Sequence, residues 1–151
     1  WPPHSPQKTW RRWLIPRLSI AIYFVACLVP ALGFDKRTWS GFEALFMGSI
    51  GILTGQFAAL ANPLLFAAWP LLGLGRLGWG RLCCVAALAL AATTFTVFSQ
   101  DVPMDEAGVN HMRLQHLLPG FYLWITSMLV ALIGSWWIPG KQRPEPQQPA
   151  S

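Results

Sequence analysis

The sequence predicts an all-α integral membrane protein: four transmembrane helices, with a short re-entrant or interfacial apolar segment after the second. Three observations predict it. Four stretches, 18–34, 41–61, 82–98 and 117–137, approach or reach the roughly 20 residues of apolar helix that a bilayer crossing takes. Together they hold one acid, Glu43, and no Lys or Arg. Finally, 54% of the 151 residues are hydrophobic and 11% charged, against roughly 25% charged in an average soluble protein. A lipid interior offers no water to the backbone, so these stretches are expected as helices.

Residues 1–16 are Pro-rich and basic, with Trp10 and Trp13 beside Arg11 and Arg12. Tryptophan favours the headgroup zone and arginine its phosphates, so an interfacial segment is expected there. The basic residues ahead of an apolar run ending Ala31-Leu32-Gly33 resemble a signal peptide. The run is long for a signal core, and the expectation is an uncleaved first span, kinked near Pro30. Residues 35–39 leave room only for a tight hairpin.

The second span is expected to end at Asn62-Pro63. The following segment, 64–75, is apolar but about 12 residues long with Pro70 inside it, too short for an ordinary crossing. It reads as a re-entrant or interfacial piece, or a kinked extension of span two. A Gly/Arg-rich turn leads to the Ala-rich third span. Residues 99–116 form the long polar connection, and the fourth span closes on Trp136-Trp137. The Pro/Gln-rich tail, 138–151, cannot build a core and is expected to be disordered and cytoplasmic.

Charge sets the orientation. With four spans and a cytoplasmic N-terminus, the inside holds Lys8, Arg11, Arg12, Arg17, Arg76, Arg81, Lys141 and Arg143, and the outside Lys36, Arg37 and Arg113. The positive-inside rule favours this arrangement, with both termini cytoplasmic, in what reads as a small bacterial inner-membrane protein. The net charge of +5 then serves anionic headgroups rather than nucleic acid.

The polar groups are few. Gly41, Ala44, Gly48, Gly51, Gly55 and Ala59 share one side of span two, and Gly48, Gly51 and Gly55 would let another helix approach closely, from this chain or a partner. Glu43, the one ionisable group in a span, is shallow enough to reach Lys36 or Arg37, yet costly enough in lipid to be a functional candidate. Gln56 projects about 140° from it around the helix, and Asn62 sits at the expected helix break. Asp101, Asp105 and Glu106 would offer an outer epitope to a partner.

Catalytic motifs are absent from the sequence. His111 and His116, five apart, lack a ligand spacing, and Cys27, Cys83 and Cys84 suit packing rather than a disulfide or zinc site. No cofactor or metal is expected, and no enzyme. The leading expectation is a non-enzymatic protein that binds another membrane protein, as an accessory subunit or an immunity-type protein. The alternative is a transporter or channel subunit, a homo-oligomer with Glu43, Gln56 and Asn62 along its path.

Overall fold

The computed structural model describes residues 6–51, 57–99, 102–103 and 111–138. The chain is mostly helical, with α1 Pro6–Leu28, α2 Gly41–Gly51, α3 Ala61–Gly73, α4 Leu77–Ala92 and α5 Pro119–Gly134. Short strands punctuate the helices: β1 Pro30–Phe34, β2 Thr38–Ser40, β3 Val102–Pro103, β4 His111–Met112 and β5 Leu114–Leu117. A 3-10 turn, Phe57–Leu60, leads into α3, and another, Thr93–Ser99, prolongs α4.

α1 extends through the segment expected at the interface and carries Pro16 inside it. It stops at Leu28 rather than 34 because Pro30 disfavours helical backbone at Val29. The released chain becomes β1, the centre of an antiparallel sheet in the order β2-β1-β5. Leu32 lies opposite both Trp39 and Leu117. Phe34 and Leu114 are buried between them as a small second core. The all-α expectation therefore needs correcting: a helical bundle carries a three-stranded sheet on one end.

The expected continuous span over 41–61 is also corrected. α2 ends at Gly51, and a separate 3-10 turn precedes α3. Most of the segment 64–75 is helical as part of α3, whose first turn accommodates Pro63, as a helix start can. The turn into α4 follows from Gly75, with φ 78°. Its N–H donates to the Leu72 carbonyl while the Arg76 N–H donates to that of Leu71. This paired closure favours glycine in the left-handed position, and it folds α4 back along α3.

Contacts along the helices show that α1, α3, α4 and α5 run alternately up and down. At the turn end, a Cβ on Gly73 would lie 2.6 Å from the Trp13 ring, and one on Gly134 2.5 Å from Ile15. At the sheet end, the Leu118 N–H donates to the Ala31 carbonyl, and α5 starts against Val29 and Pro30. The interior rows mix small residues with leucine. α3 buries Ala61, Leu65, Ala68 and Leu72, and α4 buries Gly80, Cys84, Ala87 and Ala91. Among the described residues one helix, Leu77–Thr96, is long and apolar enough to cross a membrane, while Phe57–Gly73 and Pro119–Gly134 are apolar but shorter.

Candidate functional site

A single amide joins three helices near the sheet end. Asn62, second residue of α3, is 5% exposed. Its Oδ1 accepts from the Tyr23 hydroxyl of α1 at 3.1 Å and from Trp124 Nε1 of α5 at 2.9 Å. Its Nδ2 donates to the Ala59 carbonyl at 3.2 Å. The amide offers two N–H donors, and the second has no acceptor among the described residues.

Two further polar layers lie below it. In the middle of the bundle the Ser19 hydroxyl donates to the Ser127 carbonyl at 2.7 Å and accepts from Trp69 Nε1 at 3.0 Å. Near the turn end Arg81 donates through Nε and Nη2 to the hydroxyl and carbonyl of Ser135. The same guanidinium lies 5.1 Å from the centre of the Trp136 ring. Each layer exchanges side-chain donors for acceptors on a neighbouring helix, so the few polar groups in an apolar interior are nearly all satisfied. Arg12 Nε is the one fully buried side-chain nitrogen or oxygen among the described residues without a partner.

Glu43 does different work. Ser40 caps α2: its hydroxyl accepts from the Glu43 N–H, while Glu43 Oε2 accepts from the Ser40 N–H at 2.8 Å. This reciprocal capping box satisfies two otherwise orphaned donors. Glu43 Oε1 also pairs with Arg37 Nη2 at 2.7 Å, both side chains half-exposed. The Ser40 backbone N–H foremost, then its hydroxyl and the Arg37 charge, hold the Glu43 carboxyl below the usual carboxylate range.

Above the Asn62 hub lies a cavity of about 110 Å³. α1 walls it with Ala26 and Cys27, α2 with Ala44 and Gly48, and α5 with Phe121 and Trp124. The sheet contributes Phe34 and Trp39 to its wall, and Thr93 and Thr94 line it as well. Among the described residues, no acid, lysine or arginine lines it.

The structure thus brings Asn62 and Gly48 to one cavity and sets Glu43 apart from it, in a helix cap. Gly48 faces Ala59 of its own chain, 3.4 Å from where a Cβ would sit. Gly51 closes α2. Gly55, Gln56, Asp101, Asp105 and Glu106 lie outside the described residues. His116 stands on β5 opposite Gly33, and His111 pairs on β4 with Pro103. Cys84 is buried in the core, with Cys27 and Cys83 half-buried, and all three are free thiols.

The sequence reading missed Tyr23, Trp124, Ser19, Ser127 and Thr94. The first four carry a legible signal, since polar side chains within otherwise apolar helices need partners. Thr94 carries none, because a threonine at a helix end is unremarkable. No family model, curated protein or solved structure matches the chain.

Proposed function

We propose that this chain is an integral membrane protein that crosses the bilayer four times and acts non-enzymatically by binding another membrane protein. The crossings are α1, α3 with its preceding 3-10 turn, α4 and α5. One observation carries the membrane reading: large apolar side chains cover the outside of the bundle, while its interior holds polar and small residues beside Leu65, Leu72 and Met128. Ser19, Asn62, Ser127 and Ser135 are buried with a row of alanines, while Phe24, Phe66, Leu82, Phe95, Leu129 and Ile133 are exposed. Small and hydrogen-bonding residues inside with large apolar ones outside is the packing expected when lipid is the solvent. Trp10, Trp79, Trp136 and Trp137 are exposed and belong to the turn end, as an aromatic belt would.

The binding reading is supported by how the polar groups are spent. Glu43 serves a cap, and Asn62 and the serines serve the bundle, which leaves a polar path from Glu43 to Asn62 without support. α2 is the partner face. Its 11 residues make a helix of about 16 Å, too short to cross, yet it exposes Phe42, Phe46 and Met47.

A photo-crosslinking residue placed at Phe42, Phe46 or Met47 in native membranes tests this against one at Leu129 or Ile133. The α2 positions are expected to yield one defined protein adduct, and the α5 positions lipid adducts. Lipid adducts at all five positions would overturn the partner reading while leaving the membrane reading intact.

A further inference from the structure

We infer that the cavity under α2 is a binding site for a neutral, ring-sized lipophile bearing a carbonyl oxygen. The cavity is partly open, and its volume of about 110 Å³ approaches that of apolar cavities that admit a benzene-sized guest. The lining selects the chemistry. Among the described residues its wall carries no acid, lysine or arginine, so they offer a charged guest no counter-ion, and burying an unpaired charge is prohibitive. The walls are aromatic or small: Phe34, Trp39 and Phe121 against Ala26, Ala44 and Gly48.

Two polar groups on that wall are unspent. Asn62 has a second amide N–H, and Thr94, 6% exposed, makes no hydrogen bond among the described residues. Both line the cavity. An alkyl chain would leave both stranded, whereas a carbonyl oxygen accepts from either. Water fits less well, since an ordered water takes about three hydrogen bonds and these walls are overwhelmingly apolar. The site does not depend on the partner proposed for α2, although α2 roofs it.

The full chain, with ¹⁵N-labelled indoles in micelles, is titrated with acetophenone and with ethylbenzene, close in shape but lacking the carbonyl. The indole N–H signals of Trp39 and Trp124 are expected to shift saturably, at about tenfold lower concentration for acetophenone, the worth of one buried hydrogen bond. Thr94→Val removes the hydroxyl with little change of shape and is expected to narrow that preference. Ala44→Phe fills the cavity and is expected to abolish both responses while the Trp69 signal, outside the cavity, keeps its position. Equal response to the two probes, no saturable shift, or an unchanged response in Ala44→Phe would each overturn the site. Should Ala44→Phe not fold, the two probes and Thr94→Val decide.

Discussion

Asn62 and Glu43 are both polar residues beside apolar runs, yet their environments assign them opposite tasks. Asn62→Leu removes three hydrogen bonds and strands the Tyr23 hydroxyl and the Trp124 indole in the interior. Hydrogen bonds inside membrane proteins contribute about 0.6 kcal/mol each on average, and stranded donors add to the loss. A destabilisation of about 2–3 kcal/mol is expected, read as unfolding of the bundle in mixed micelles. For Glu43 the prediction concerns pH. Its folded carboxyl titrates below its unfolded value, so its contribution is complete above the unfolded range and is lost as pH falls through the folded one. Amide exchange across α2 is expected to accelerate on acidification into that range, and Glu43→Gln to flatten the dependence. The cap was legible locally, because Ser40 and Glu43 have the S-x-x-E spacing just before an apolar helix. The hub was not: its partners lie 39 and 62 residues away in sequence, and no local pattern announces a bond across such distances.

Helices here meet through rows of small side chains, and the substitutions that matter are those facing backbone. A Cβ on Gly120 would lie 2.7 Å from the Val29 carbonyl oxygen and 2.8 Å from that of Pro30, atoms with no freedom to move aside. Gly120→Ala is expected to cost about 1–3 kcal/mol and to loosen α5 from β1. Gly78, in α4, has nothing within 4 Å of its Cβ position, so Gly78→Ala is expected to be neutral or to stabilise by up to about 1 kcal/mol. Thermal midpoints of the two variants in one detergent check the pair. The helical content was readable from apolar runs, but the register of elements was not. A continuous apolar stretch hides its own breaks. Val29-Pro30 ends α1 inside a run that hydropathy alone carries on to Phe34. The Gly80, Cys84, Ala87, Ala91 row has the same spacing logic as the glycine row of 41–55, and it lies in the α3–α4 seam.

At the scale of the molecule, residues 36 and 76 mark opposite ends of the bundle, beside the sheet and in the α3–α4 turn. In the four-crossing arrangement the sheet end is outside and the turn end cytoplasmic, so the basic residues divide as the positive-inside rule asks even though the second crossing is α3 rather than 41–61. In a cysteine-free background, a cysteine at Lys36 is expected to react with an impermeant maleimide on intact cells, and one at Arg76 only after permeabilisation. Reaction of both on intact cells would break the arrangement. Moving the second crossing from 41–61 to α3 leaves that count unchanged, because loop charge does not depend on helix boundaries.

The pairing of α1 with α5 also sets a clock. Ser19 donates to a carbonyl 108 residues further on, and β1 holds the strand that opens α5. At about 5–20 residues per second of synthesis, the first helix waits on the order of 5–20 s for the surface that satisfies it. In the proposed membrane arrangement, Ser19 and Tyr23 face lipid or the insertion machinery through that interval. In that arrangement, a nascent chain halted before residue 119 is an unfinished bundle, its first helix still presenting polar groups to hydrocarbon, and a natural substrate for membrane quality control.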